Sequence, residues 1–445
     1  MGRIRVSDRM NRLPVTGYTK LVCACMFIGW MCEAIDLGIT GYMLPTISEY
    51  WGMSTMVAGW YSSACFVGMF IGSLVGGPIA DWKGRKPIIV IFMIVSGCAS
   101  LGMALAPTIE ILFALRFVLG IGLGVQFPVA VAYISENLPS RKRGKYVALY
   151  QLFLPIGMAL AALLALGLLE PLGWRGIYAL TAVPGLWCIA VLKICPESAI
   201  WLEAKGRTEE ADRVMEEVWE KKAAAYLAAK GEYLAPVVPT QVEAAPAGRA
   251  KLSDLFHGKQ GVLTFLAFAF MFCSMQSDYG LTTWLSTLFV AKGFAITKAI
   301  GFIFIGILGG IPGYFLSAWG VEKFGRKQAS FIACLATGVF GILYGFSNSE
   351  IMIIVMGFFY NMGKYAVAMC FLVYLPELFE TQNRAAGNGL GSAGGRLGAI
   401  LGAPLMAWIF SSFGPTSTFV YAAVLVLVGG VLALALGPET RDKSY

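Results

Sequence analysis

The chain has 445 residues, of which 58% are hydrophobic and only 13% charged, with a formal net charge of +8. A soluble domain carries about 25% charged residues, so this much apolar surface can be hidden only by facing lipid. Disordered, collagen-like and nucleic-acid-binding classes are excluded, and the positive excess matches that of cytoplasmic loops in a membrane protein.

Apolar runs of about 20 residues, the length of a membrane-crossing α-helix, recur along the chain. They fall near 21–44, 56–80, 88–106, 110–134, 146–169 and 174–195, then near 261–290, 299–319, 328–346, 351–375, 389–411 and 416–437. These runs, designated spans 1 to 12, predict an all-α membrane protein with about twelve transmembrane helices. Span 1 is longer than a signal-peptide core and no small-residue cleavage site follows it, so it is expected to remain in the protein. Arg3, Arg5, Arg9, Arg12 and Lys20 precede span 1, Lys83, Arg85 and Lys86 follow span 2, and Arg141, Lys142, Arg143 and Lys145 follow span 4. Loops near 45–55, 107–110 and 170–173 carry almost no positive charge. Positive loops stay inside, so both termini are expected in the cytoplasm, with the chain crossing the plasma membrane many times.

The only long polar stretch, 196–260, separates six spans from six and divides the chain into bundles 1–195 and 261–445. Thr208 to Lys230 is rich in Glu, Lys and Ala and predicts a surface helix; Leu234 to Ala250, with three prolines, reads as a linker. Nine of the 10 cysteines lie in apolar runs and none forms a CxxC pair, so they are expected to be small core hydrophobes.

An internal repeat joins the halves. Asp81, Gly84, Arg85 and Lys86, between spans 2 and 3, recur 241 residues later as Glu322, Gly325, Arg326 and Lys327. The same offset carries Glu136 and Arg143 onto Glu377 and Arg384. Such duplication is the pattern of transporters that alternate access around a midplane site. Gly77-Pro-Ile-Ala-Asp81-Trp-Lys-Gly84-Arg85-Lys86 resembles the loop 2–3 signature of the major facilitator superfamily, Ala318 to Lys327 its weaker second copy, and Arg116-Phe-Val-Leu-Gly120-Ile-Gly122-Leu-Gly124 its helix 4 signature. The resemblance covers nearly the whole chain. It implies a major facilitator fold, two six-helix bundles related by a pseudo-two-fold axis, with conformational gating by Asp81, Gly84, Arg85, Lys86, Glu136, Arg143, Glu322, Arg326, Glu377 and Arg384. Pro196-Glu197-Ser198-Ala-Ile-Trp201-Leu202 and Gly437-Pro438-Glu439-Thr440 resemble boundary motifs of sugar porters and metabolite:proton symporters. Span 7, Met275-Gln276-Ser277-Asp278-Tyr279-Gly280, lacks the glutamine-rich pattern of sugar porters. Glu33-Ala-Ile-Asp36 in span 1 and Gly395-Arg396-Leu-Gly398 in span 11 are more similar to aromatic-acid, organic-acid and niacin transporters, which usually carry Asp where Glu33 stands.

A charge at the centre of a spanning helix costs about 2.5–3.5 kcal/mol on insertion scales, so each needs a partner or a role. Six lie well inside the spans: Glu33, Asp36, Arg116, Asp278, Lys364 and Arg396. Asp36 and Arg116 fall roughly 12 Å and 9 Å below the outer ends of their spans at about 1.5 Å per residue, so they can meet. A structural ion pair and a proton-linked pair both fit; the resemblance, to transporters that couple protons at a helix 1 acid facing a helix 4 arginine, favours the second. Glu33 lies one turn deeper on the face that carries Trp30, Asp36 and Thr40, and is a second candidate proton carrier. Span 11 has a polar ridge of Asn388, Ser392 and Arg396, and span 10 brings Asn361, Lys364 and Tyr365 to a similar level. A guanidinium forks onto a carboxylate and an ammonium adds charge, so this pair of cations suggests a carboxylate substrate. The alternative is that Arg396 caps carbonyls and Lys364 snorkels. Trp30, Gln126, Gln276, Asp278, Tyr279 and Tyr360 complete the candidate substrate site.

The sequence therefore suggests a proton-coupled importer of a small organic anion, an aromatic monocarboxylate such as nicotinate or a benzoate, acting by alternating access as a monomer. The coupling ion is the proton, the lipid bilayer is the environment, and no cofactor, metal or nucleic acid is expected. A sugar or polyol carrier and an organic-cation carrier using Glu33, Asp36 and Asp278 are the rivals. An enzyme is disfavoured because His257, the single histidine, lies on the polar segment and no nucleophile or metal constellation stands out.

Overall fold

The computed structural model describes residues 4–237, 255–380 and 382–441, and among them it contains helices and no strand. In chain order the first helices are α1 (Val6–Asn11), α2 (Gly17–Trp51), α3 (Thr55–Lys83), α4 (Arg85–Leu105), α5 (Ile109–Glu136), α6 (Ser140–Thr181) and α7 (Cys188–Ile194). The polar segment supplies α8 (Ala199–Ala204), α9 (Thr208–Val214) and α10 (Lys221–Ala228). Then come α11 (Gly258–Ala291), α12 (Ile296–Leu308), α13 (Gly310–Phe324), α14 (Arg326–Phe346), α15 (Glu350–Glu377), α16 (Arg384–Phe413) and α17 (Pro415–Leu436).

Eleven stretches among the described residues are long and apolar enough to cross a membrane, and one of them, Ser140–Ile194, has 55 residues. At about 1.5 Å per residue that stretch exceeds twice the ~30 Å hydrocarbon core. Gly173, at φ 63° and ψ 176°, breaks it into two crossings. The resulting twelve crossings agree with spans 1 to 12, span 8 being divided between α12 and α13. All ten cysteines are free thiols, of which only Cys98 is exposed, as expected for core hydrophobes.

The helices form two compact units. One takes Gly68–Gly157 with the chain up to Ile35 and from Tyr178 into the polar segment; the other takes Asp36–Val67, Met158–Ile177 and the C-terminal helices. The helix expected over 208–230 is present, as α9, a π-turn at Met215–Glu220 and α10. It is more than a solvated surface element: Ala211, Met215, Trp219 and Ala223 are buried with Val6, Met10 and Leu13 of the N-terminal segment. Arg9 pairs with Asp212 at 2.7 Å and Glu220 at 2.8 Å, and Arg12 with Glu220 at 2.6 Å. Positions 238–250 of the expected linker lie outside the described residues.

In the second unit, the later half of α2 and the earlier half of α3 meet α11 and α16 through small residues. A Cβ on Gly59 would come within 2.9 Å of the Ala407 Cβ and 3.1 Å of the Ala403 carbonyl oxygen. Ser63 Oγ donates to the Ile400 carbonyl at 2.6 Å, and Ser286 Oγ donates to the Gly41 carbonyl.

The duplication seen in the sequence reappears as geometry within each unit. Arg85 reaches Glu136 through Nε at 3.2 Å and Nη2 at 3.0 Å, while its backbone N–H donates to Glu197 at 3.1 Å. Arg326 reaches Glu377 through Nε at 3.0 Å and Nη2 at 3.4 Å, while its N–H donates to Glu439 at 2.9 Å. Tyr133 OH donates to the Pro196 carbonyl at 2.6 Å and Tyr374 OH to the Pro438 carbonyl at 2.7 Å. The carboxylates of Glu197 and Glu439 therefore cap the orphan N–H groups that open α4 and α14, where the helix dipole favours negative charge. The copies differ at one place: Asp81 pairs with Arg85, whereas Arg326 Nη1 turns to the Val321 carbonyl at 3.5 Å and Glu322 takes no part. Arg143 donates to the Leu138 carbonyl at 3.2 Å, and Arg384 opens α16.

Each cap needs a glycine beside it. Gly84 has φ 109° and Gly325 φ 87°, and a Cβ at either would collide with the capping carboxylate. Gly84→Ala is expected to cost about 1–3 kcal/mol of backbone strain alone and to lower the thermal unfolding midpoint of the detergent-purified protein. Gly77→Ala, whose Cβ would meet nothing within 4 Å, is expected to leave the midpoint unchanged or slightly raised. Equal midpoints for the two variants would contradict the cap.

Candidate functional site

In the first unit the sequence candidates gather around an aromatic cluster. Phe27 and Trp30 are one turn apart on α2, and Tyr146, Tyr150 and Phe153 share a face of α6, so each helix presents a stripe of rings. Trp30 stacks on Tyr150 with centroids 5.5 Å apart and approaches Phe127 at 5.1 Å; Phe27 meets Phe153 at 5.2 Å. Glu33 follows Trp30 on the same face, is buried, and lies within electrostatic reach of Tyr150. The indole Nε1 of Trp30 is buried with no hydrogen-bond partner among the described residues, so a ligand acceptor would satisfy it. Gln126 is buried and its Nε2 donates to Ser96 Oγ at 3.4 Å. Arg116 is buried in this unit, and Asp36 is buried in the other.

The second unit holds the remaining candidates on α11, α15 and α16. About 3.6 residues per turn puts Gln276 and Asp278 on nearly opposite faces of α11. Gln276 Nε2 donates to Tyr421 OH of α17 at 2.6 Å. Asp278 faces α15, where Lys364 Nζ lies 2.9 Å from its Oδ1; the two side chains are 29% and 10% exposed. Thr282, one turn along α11, ties this pair together: its hydroxyl donates to Asp278 Oδ1 at 3.1 Å and accepts from Lys364 Nζ at 3.4 Å. The ammonium also stands 4.8 Å from the Tyr365 ring centroid, and Tyr365 packs on Tyr314 at 5.5 Å. Asn361 is buried with its Nδ2 bonded to its own helix at the Gly357 carbonyl, and Tyr360 is buried beside Tyr344, with ring centroids 5.9 Å apart.

Tyr279 meets Phe66 of α3 with centroids 4.9 Å apart and lies within electrostatic reach of Arg396, Lys364 and Asp278. Arg396 itself, half-buried, has no hydrogen bond or ion pair to any described residue. Ser392, one turn before it, is exposed, and Asn388 keeps a buried side-chain oxygen without a donor among the described residues. The sequence suggested Lys364 and Arg396 as two cations for one ligand. The structure commits Lys364 to Asp278, because span 7 is rotated to present Asp278 toward α15, and leaves Arg396 as the uncompensated charge. Thr282, Phe66 and Tyr421 escaped the sequence reading; only Thr282 carried a signal, being four residues beyond Asp278. No cluster of His, Cys, Asp and Glu fit for a metal occurs among the described residues. Chemically, this side of the protein offers one free guanidinium beside a pair of aromatic rings and a self-neutralised ion pair.

Breaking a fully buried ion pair by removing one partner costs about 3–5 kcal/mol; partial exposure of Asp278 reduces the expected loss for Lys364→Met to about 2 kcal/mol. Adding Asp278→Asn to Lys364→Met is expected to recover most of that loss in thermal unfolding of the purified protein. Losses that simply add would show that the two groups are independent.

Comparison with known proteins places these features. Residues 14–445 match the family described as sugar (and other) transporter. The chain is 30% identical to the niacin transporter of Acinetobacter baylyi over 98% of both chains. It is 29% identical to a 4-hydroxybenzoate transporter of Pseudomonas putida over 89% of this chain and 88% of that one. In fold it is similar to the partially occluded inward-open xylose transporter of Escherichia coli, with a TM-score of 0.75 at 18% identity, over 97% of this chain and 100% of the other. The chain belongs to the sugar (and other) transporter family of the major facilitator superfamily, and is a multi-pass membrane transporter rather than an enzyme.

Proposed function

We propose that the protein imports a small organic anion, an aromatic monocarboxylate such as nicotinate or a benzoate, in symport with protons by alternating access. The observation that carries this reading is Arg396, a cation within a spanning helix that no described residue neutralises. A desolvated guanidinium is stable when its fork is filled, and a carboxylate fills it with two hydrogen bonds. The rings of Tyr279 and Phe66 supply the flat apolar surface that an aromatic acid prefers. The names of the relatives, niacin and 4-hydroxybenzoate transporters, point to the same class of substrate.

Glu33 and Asp36 are the acids assigned to the proton, with Arg116 as counter-charge, and the capped arginines Arg85 and Arg326 belong to the gating loops. Both termini are assigned to the cytoplasmic side of the plasma membrane. A sugar carrier fits the family's description but needs amides and hydroxyls where this site concentrates charge, and a cation carrier needs a free carboxylate beside the rings where Arg396 stands.

Direct binding of benzoate or nicotinate, the matching amide and a hexose to the parent protein and to Arg396→Ala tests the proposal. Loss of a buried charged partner is expected to cost about 2–5 kcal/mol, a loss of roughly 30- to several-thousand-fold in carboxylate affinity. Arg396→Lys keeps the charge without the fork and is expected to retain part of the binding. The amide is expected to bind the parent poorly. Parent-like carboxylate affinity in Arg396→Ala, or tighter binding of the hexose than of either acid, would overturn the reading.

A further inference from the structure

We propose that Asp278 restricts the transporter to monocarboxylates by occupying Lys364 in place of a second substrate carboxylate. The inference rests on the reading of Arg396 as the substrate's anchor and extends it from the class of charge to the number of charges accepted. Arg396 stands on the stretch of α16 that packs against α11 at the level of Asp278 and Tyr279: a Cβ on Gly395 would come within 3.1 Å of Met275 Cγ and one on Gly402 within 3.1 Å of the Gly280 nitrogen, while Lys364 pairs with Asp278 on the neighbouring face of α11. Two positive charges and one negative leave a single positive charge, which one carboxylate cancels and two overshoot. Net charge in a low-dielectric site is unfavourable in either sign, so the site is matched to a monoanion.

The geometry shows how the match is made. An aspartate side chain ends in an acetate group, the same chemical head that a substrate acid presents. Asp278 holds Lys364 through Oδ1 alone, at 2.9 Å, and Thr282 steadies the pair from both sides. Oδ2 of Asp278 accepts no hydrogen bond from the described residues. A carboxylate oxygen left in this way repels a second carboxylate brought near it and accepts from donor groups. Specificity by an installed repulsive element is general practice in binding sites. Here one residue both cancels the spare cation and supplies the repulsion.

Removing the charge of Asp278 should release Lys364 as a second anion site. Binding of benzoate and of phthalate, isophthalate and terephthalate is measured at neutral pH, where all are fully ionised, on the purified full-length parent and on Asp278→Asn. The three diacids sample three separations between carboxylates. The parent is expected to prefer benzoate over every diacid by at least about tenfold, and Asp278→Asn to shift the benzoate-to-diacid affinity ratio by about tenfold or more in favour of at least one diacid. That shift amounts to about 1.4 kcal/mol. Lys364→Met provides a check independent of how well Asp278→Asn folds. It leaves Asp278 as a free negative charge, so benzoate affinity is expected to fall at least tenfold, and adding Asp278→Asn should restore it while diacids stay excluded. An unchanged benzoate-to-diacid ratio in Asp278→Asn, or undiminished benzoate binding in Lys364→Met, would overturn the inference. Failure of the parent to bind benzoate or nicotinate would instead overturn the proposed function.

Discussion

A charge inside a bilayer has no water to fall back on, and the placement of ionised groups in this chain follows from that. At the ends of the spans, the guanidiniums of Arg85 and Arg326 are each held by a glutamate side chain while a second glutamate caps the helix they open. Farther in, Lys364 is held by Asp278. What remains after this pairing is informative because pairing is the rule. Among the described residues Arg396, deep within α16, pairs with no acid, and it stands near the ring of Tyr279, which is why the proposed function is built on it.

The two halves solve the same local problem with the same parts. A tyrosine anchors the chain segment that bears the capping glutamate, the glutamate accepts the first N–H groups of the next helix, and a glycine in the left-handed region makes room for it. Only the acid at the start of the motif has diverged. Asp81 remains on Arg85, and Glu322, one methylene longer, is bypassed in favour of a backbone carbonyl. Duplication thus preserved the interactions that build the helix ends and relaxed the one nearest the surface, where a pair is worth little.

Much of this was legible in the sequence, and the limit has a physical cause. Spans announce themselves because length and apolarity decide membrane insertion residue by residue, and the loop repeats were visible as identical types at a fixed offset. The capping role of Glu197 and Glu439 was within reach, since both follow a proline at nearly that offset, yet a capping contact depends on a fold-back that composition does not encode. The partner of Lys364 was beyond reach. It lies 86 residues earlier, and which face of α11 meets α15 is fixed by packing rather than by any local pattern. The break at Gly173 had the same status, a turn hidden within a continuous apolar stretch.

The seam in the second unit between α2 and α3 on one side and α11 and α16 on the other bears on speed. It joins hydroxyls to main-chain carbonyls and glycine to alanine, with one ring contact, Phe66 on Tyr279, and no ion pair among the described residues. Separating such surfaces forfeits many small contacts and a few hydrogen bonds that water can replace at once, so the barrier is spread thinly along the seam rather than concentrated in one strong bond. Contacts of this kind can part and re-form on the microsecond to millisecond scale of collective motions, provided the seam loosens along its whole length together.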